Sequence, residues 1–332
     1  MSTAGGLLQG NEFRLCRAAG SAYIAAVQDP FPKPIDAGTR YCAVFGHPVG
    51  HSASPAMQNA GMAALGLNWR YLAFDVVPTH LRSALDGARV MRFVGLNLTV
   101  PHKLMAMDLV DVLDESAQSW GAVNTIRFEA QDATGRWVPV WQTDDEGSPI
   151  RAHGFNTDAD AIGRALRKDL GIECSGARAV VLGAGGAGRV AALKLAADGA
   201  RELFLVNRTQ EKAEAVAAEI RRRYNSCRVG LGYPVGTVDV VLNATSLGLR
   251  RGDALPVDLG RLDLRRVGAV FDMIYRPAET PLLAAARAAG CRTANGLGML
   301  LYQGARALEL WTGRPAPESV MRQALTEHVH GS

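Results

Sequence analysis

The chain is poor in cysteine, in aromatic side chains and in unbroken apolar runs. Its five cysteines are Cys16, Cys42, Cys174, Cys227 and Cys291, an odd number with no C-x-x-C spacing. That pattern argues against a disulfide scaffold and against a zinc site, and it fits a reducing compartment. No metal is expected. No apolar stretch is long enough to span a bilayer. Residues 1–38 do not read as a secretory leader, because Arg14 and Arg17 stand where an apolar segment belongs. A cytoplasmic protein with no membrane partner is therefore expected. The formal net charge is only +4 and the basic residues are scattered, so nothing marks a nucleic-acid surface. What remains is 332 residues, 48% of them hydrophobic and 20% charged, the composition of a soluble globular protein long enough for two domains.

A Pro-rich break, Asp29-Pro30-Phe31-Pro32-Lys33-Pro34, sets off an N-terminal arm in which Asn11 to Val27 can form a short helix. Beyond it, strand and helix patterns alternate. Strands are expected at Tyr41–Phe45, Trp69–Val76, Val94–Leu98 and Ala122–Phe128. Helices are expected from Ser54 to about Leu65, with Ser54 as N-cap and Pro55 at the first helical position, at Thr79–Arg89, and around Asp111–Trp120. Residues 129–152 differ. Asp132-Ala133-Thr134-Gly135 is a turn signal between two β-prone runs, and residues 144–149 form a polar loop, so a surface hairpin is expected there. A helix starting at Thr157 or Asp158 leads into a second alternating series. It has strands at Arg178–Leu182, Leu203–Asn207, Val238–Asn243 and Ala269–Met273. Helices span Gly186–Gly199, Gln210–Tyr224, Thr280–Gly290 and Leu297–Trp311. This alternation implies an α/β fold with mainly parallel sheets.

The run Gly183-Ala184-Gly185-Gly186-Ala187-Gly188 follows an apolar strand and precedes a helix, the context in which a G-x-G-x-x-G pattern is informative. Gly183 permits a tight turn, Gly185 lets backbone approach a pyrophosphate, and Gly188 lets helix and strand pack closely. Arg189, just past the motif, either stays exposed or approaches a phosphate. The end of the next strand discriminates between cofactors. An Asp or Glu there would accept from a ribose 2′-hydroxyl. This chain instead carries Asn207-Arg208-Thr209 and then Lys212, whose cations pair with a 2′-phosphate. NADP(H) is the expected cofactor.

Polar residues collect ahead of this loop. Ser52 and Ser54 flank the turn His51-Ser52-Ala53-Ser54-Pro55 and suit a carboxylate. Asn97 and Thr99 alternate along a strand end, so their side chains point the same way. Lys103 follows the Pro101 turn, Asn124 closes Gly121-Ala122-Val123-Asn124-Thr125, and Asn156-Thr157-Asp158 begins a helix. An ammonium and a carboxylate before a dinucleotide loop suggest a reductase that moves a proton and a hydride. A lysine ammonium can hydrogen-bond a carbonyl oxygen, stabilise the developing alkoxide and deliver a proton, and a neighbouring carboxylate favours its charged form.

The motif order resembles that of the shikimate dehydrogenase family. The matching segments are His51–Pro55, Asn97–Lys103, Gly121–Thr125, Asn156–Asp158, Gly183–Gly188 and Asn207–Thr209. The series continues with Asn243–Gly248, Asp272–Pro277 and Gly298–Gln303. The resemblance implies a two-domain α/β enzyme with a cleft between a substrate-binding domain and a Rossmann NADP-binding domain. The corresponding division is an N-terminal arm (residues 1–38), a substrate domain (39–155), a Rossmann domain (156–295) and C-terminal helices returning to the substrate domain (296–332). It further implies that Ser52 and Ser54 hold the substrate carboxylate, and that Asn97, Thr99, Asn124, Asp158, Tyr275 and Gln303 contact ring hydroxyls. Lys103 and Asp158 are the implied catalytic pair. Asn207, Arg208, Thr209 and Lys212 would take the adenosine 2′-phosphate side, with Thr245, Ser246, Met273, Gly296 and Met299 nearer the nicotinamide. The implied activity is reversible NADPH-dependent reduction of 3-dehydroshikimate to shikimate, a step toward chorismate and the aromatic amino acids, by a monomer or homodimer. Quinate/shikimate dehydrogenases acting oxidatively, and inactive sensors of shikimate-type ligands, are the rival readings. His47 stands where the family often has asparagine, and the stretch between Thr125 and Asn156 is longer than usual.

Overall fold

The computed structural model describes residues 34–144 and 147–331. The expected arm helix, Cys16 and residues 145 and 146 of the polar loop lie outside the described residues. The first half of the chain forms β1 (Arg40–Gly46), α1 (Ser54–Ala64), β2 (Trp69–Asp75), α2 (Leu81–Val90), β3 (Gly95–Leu98) and α3 (His102–Met105). It continues with β4 (Val112–Leu113), α4 (Glu115–Trp120), β5 (Thr125–Gln131), β6 (Trp137–Pro139) and β7 (Ile150–Phe155). Its sheet runs β2-β1-β3-β5-β7-β4, with β6 paired to β5. The β1–β2, β1–β3 and β4–β7 ladders are parallel, whereas β5 runs against β3, β6 and β7.

The second half begins with α5 (Asp158–Leu170), β8 (Arg178–Leu182), α6 (Gly186–Ala197), β9 (Glu202–Val206), α7 (Gln210–Arg223) and β10 (Arg228–Leu231). Then come β11 (Val238–Asn243), β12 (Val267–Asp272), α8 (Pro281–Ala288), β13 (Arg292–Ala294), α9 (Leu297–Thr312) and α10 (Glu318–His330). Its sheet, β10-β9-β8-β11-β12-β13, is parallel throughout. Every strand of this sheet is joined to its neighbour by a crossover, as parallel pairing demands.

Most expected elements stand within a residue or two of their observed bounds, and the differences have physical causes. Ser54 is the first residue of α1 rather than its cap; Ala53 takes that position without a side-chain bond. The segment from Asp111 is not helical at first, because Val112 and Leu113 pair with β7 before Asp114 caps α4. The strand expected from Ala122 begins at Thr125 and runs on to Gln131, where the hairpin with β6 prolongs it. Edge strands β10 and β13 were not anticipated, and α10 was expected only as one of the C-terminal helices of residues 296–332, without bounds of its own.

Helices α9 and α10 return to the first sheet. Gly304 brings α9 close to α1, since a side chain there would meet the Met57 methyl. Trp311 is fully buried, and its Nε1 donates to the Ile126 carbonyl at 2.9 Å across a space left open by Gly95. Close helix packing of this kind uses small residues because a side chain at the contact would force the axes apart.

Candidate active site

Lys103 sits in α3, directly after the turn that ends β3, and Asp158 is the first residue of α5. Lys103 Nζ donates to Asp158 Oδ2 at 2.7 Å, with the side chains 31% and 14% exposed. Asn156 caps α5: its Oδ1 accepts from the amides of Asp158 and Ala159 at 3.1 and 3.2 Å. The cap satisfies two helix donors and leaves the Asp158 carboxylate free for Lys103.

This pair stands between two cavities. The smaller, of about 200 Å³, is lined by Ser52, Ser54, Asn97 and Thr99 on one side and by Tyr275 and Gln303 on the other. Val44, Val49 and Leu300 add apolar wall. Its walls thus come from β1, β3, α9 and the loop after β12, so both halves of the chain build it. Burial pushes the Tyr275 phenol above its usual range, leaving a neutral O–H donor. Thr99 lies one residue past β3 yet still shares the cavity with Asn97. Asn124 stands behind the wall. It is 1% exposed, its Nδ2 donates to Thr157 Oγ1, and its Oδ1 accepts from the Thr157 amide.

The larger cavity, of about 660 Å³, lies over Ala184, Gly185, Gly186 and Ala187, with Pro101 and Leu104 opposite and Lys212 at its rim. It shares Lys103, Asp158 and Met299 with the smaller one. The glycines explain its shape. Gly183 has φ +99°, and a Cβ on Gly188 would stand 2.0 Å from the Gly183 carbonyl oxygen, so strand-to-helix packing there needs glycine at both positions. Gly185 and Gly186 face open space. Asn207 braces this loop: its Oδ1 accepts from the Ala184 amide at 3.0 Å, and its Nδ2 donates to the Thr209 carbonyl at 2.7 Å. Arg208, Thr209 and Lys212 are exposed. Thr245 is tied to Asn243 Oδ1 through both its amide and its hydroxyl, and Ser246 follows in the same loop after β11. Met273 and Gly296 line the smaller cavity, and Met299 lines both. Backbone amides at a helix start, open space above two glycines, and exposed cations with no carboxylate at the strand end fit a dinucleotide bearing a 2′-phosphate.

Two features escaped the sequence reading. Arg189 neither remains free nor aims at the phosphate position. It grips Glu219 through Nε and Nη2 at 2.8 and 2.7 Å and donates through Nη1 to the Trp120 carbonyl at 2.8 Å, bridging α6, α7 and the end of α4. Tyr71, in β2, is fully buried beneath the smaller cavity, and its hydroxyl donates to Asn97 Oδ1 at 2.7 Å. Lying in an apolar strand, it gives no sequence signal of a polar task.

Comparison with known proteins gives three family matches along the chain. Residues 44–126 match the shikimate dehydrogenase substrate binding domain, residues 165–248 the shikimate / quinate 5-dehydrogenase model, and residues 296–326 the shikimate 5′-dehydrogenase C-terminal domain. The shikimate dehydrogenase (NADP(+)) of Methanopyrus kandleri is 40% identical over 302 residues, 89% of this chain and 98% of that protein. A crystal structure of a shikimate dehydrogenase in complex with NADP+ superposes with a TM-score of 0.77 at 37% identity, over 89% of this chain and 98% of that one. The Thermus thermophilus enzyme, solved with NADP(H) and shikimate, gives 0.72 at 36% identity, over 87% and 99%.

Proposed function

The chain belongs to the shikimate dehydrogenase family, and on that footing we propose that it interconverts shikimate and 3-dehydroshikimate with NADP(H), in the pathway to chorismate and the aromatic amino acids. The observation that carries this reading is the Lys103–Asp158 pair at 2.7 Å, standing in the wall common to the two cavities. Residues 39–155 with the returning helices of 296–332 hold the small carboxylic acid, and residues 156–295 hold the dinucleotide.

Ser52 and Ser54 bind the carboxylate, while Asn97, Thr99, Tyr275 and Gln303 contact ring hydroxyls; Asn124 supports them from behind. Gly183 to Gly188 cradle the pyrophosphate, and Asn207, Arg208, Thr209 and Lys212 serve the adenosine 2′-phosphate side. Thr245, Ser246, Met273, Gly296 and Met299 surround the nicotinamide end. NADPH supplies the hydride when bound. Lys103 donates a hydrogen bond to the carbonyl oxygen and delivers the proton as the alkoxide forms, and in the reverse direction the same nitrogen takes it back. Asp158 holds the ammonium in place. The protein works on these small molecules in the cytoplasm, as a monomer or homodimer.

The decisive measurement is a steady-state assay of shikimate and quinate, each with NADP+ and with NAD+. Shikimate with NADP+ should give the highest kcat/KM. Inactivity in all four pairings would overturn the reading and leave a ligand sensor.

A further inference from the structure

Behind the smaller cavity runs a chain of buried polar side chains: Tyr71, Asn97, Thr125, Asn124 and Thr157, each 5% exposed or less. Asn97 is its pivot. Its Nδ2 donates to the Asn124 carbonyl at 3.3 Å and to Thr125 Oγ1 at 3.0 Å. The Asn124 carbonyl can only accept, so the atom facing it must be the amide nitrogen, and the orientation of the carboxamide follows from chemistry alone. Both amide protons are then in use. Tyr71 closes the other side, with its O–H donating to Asn97 Oδ1 at 2.7 Å. One lone pair of that oxygen is all that Asn97 has left for the cavity it lines.

We propose that Tyr71 is a positioning residue that fixes Asn97 as a hydrogen-bond acceptor, so that the ring hydroxyl facing Asn97 is recognised only as a donor. This rests on the function proposed above and deepens it: the site selects for a free hydroxyl at one ring position. Reversal of the carboxamide would set its oxygen against the Asn124 carbonyl with no proton between them, and the Tyr71 O–H holds the oxygen on the opposite side. Burial, followed by its proximity to Cys42, raises the Tyr71 phenol well above its usual range, so it stands as a neutral O–H donor. The tyrosine backbone is clamped in turn by Asn59, whose Oδ1 accepts from the Tyr71 amide and whose Nδ2 donates to its carbonyl, at 2.8 and 2.9 Å. The ring has no room to swing away.

The test is Tyr71→Phe, assayed with shikimate and with three analogues in which each ring hydroxyl in turn is replaced by hydrogen. The variant should raise KM for shikimate about five- to tenfold, the worth of one buried hydrogen bond, with kcat within about threefold and KM for NADP+ unchanged. The wild type should lose efficiency with every deoxy analogue. In the variant, the loss should shrink for one analogue and persist for the other two. Thr125→Val removes a partner from the opposite side of the same carboxamide and reports on the same analogue should Tyr71→Phe not fold. A wild type inactive with shikimate overturns the functional reading and this inference together. An active wild type whose variant shows an unchanged KM, or unchanged losses for all three analogues, overturns the positioning role alone.

Discussion

The two sides of the cleft hold their ligand groups in opposite ways. The smaller cavity is furnished by side chains that are themselves wired into a buried network, running from Tyr71 through Asn97 and Thr125 to Thr157 beside Asp158. The larger cavity is furnished largely by backbone: Gly185 and Gly186 lie bare under open space, Lys212 reaches its wall, and Arg208 stands exposed nearby in sequence. Side-chain wiring sets a fixed pattern of donors and acceptors and suits a small ring whose hydroxyls must be told apart. A glycine cradle reads only phosphate charge and shape, and on the proposed reading it is Arg208 and Lys212 that choose among dinucleotides.

Buried carboxylates repeat the contrast. Glu129, 2% exposed in the first sheet, faces Arg127, Arg151 and His153. Burial alone would raise its pKa, but the hydrogen bonds from His153, Arg127 and Arg151 outweigh burial and bring it down to about 2. Asp272, fully buried in the second sheet, has dipolar partners among the described residues: the Thr280 hydroxyl, the Asn243 amide and the Ile274 N–H. Burial wins there and its pKa rises.

The largest effect should come where the two sides meet. Lys103→Ala should cut kcat by at least about 10²-fold, the usual worth of general acid–base help, while NADPH binding stays nearly constant. Near-normal turnover would remove the lysine from the chemistry. Next, Glu129→Gln should cost roughly 2 kcal/mol at pH 7, because three cationic or hydrogen-bonding partners lose their anion. The depressed carboxylate contributes its stability above its ordinary value of 4.5 and loses it as pH falls toward about 2. Thermal unfolding across that window should show wild type and variant converging in acid, whereas parallel curves would deny the ion-pair origin. Arg208→Ala should weaken NADPH by about tenfold and NADH little, since an exposed guanidinium pairs with the 2′-phosphate alone. Equal loss for both cofactors, measured by titration, would end that role. The smallest effect should be Asp272→Asn, with the opposite sign. A raised carboxylate favours the folded state at low pH and loses that advantage as pH rises through its folded value, so the variant should gain on wild type from acid to neutral pH.

How much of this was legible depends on how local each feature is. The glycine loop could be read because its rule is written in six consecutive residues between a strand and a helix. Lys103 and Asp158 could be singled out one at a time, but their 2.7 Å contact depends on two helix starts lying together, which no spacing states. The Tyr71 network draws on residues from Tyr71 to Thr157 and is visible only once β2, β3 and β5 lie in or beside one sheet. Arg189 was read by its nearness to the loop, whereas its partner is Glu219, two elements away on α7. Strands β10 and β13 were missed for a related reason: each is a short edge strand whose order comes from a parallel neighbour rather than from its own sequence.

Trp311 hangs its indole on the carbonyl of Ile126, and α9 and α10 rest against α1, so the first sheet is covered by the last residues of the chain. A polypeptide emerging from the ribosome therefore has every strand of its second sheet in hand before it can cover its first. Cutting the gene after β13 should leave both sheets with all their strands but strip α1 and α5 of the helices that cover them, so neither half is finished until the last two helices are made.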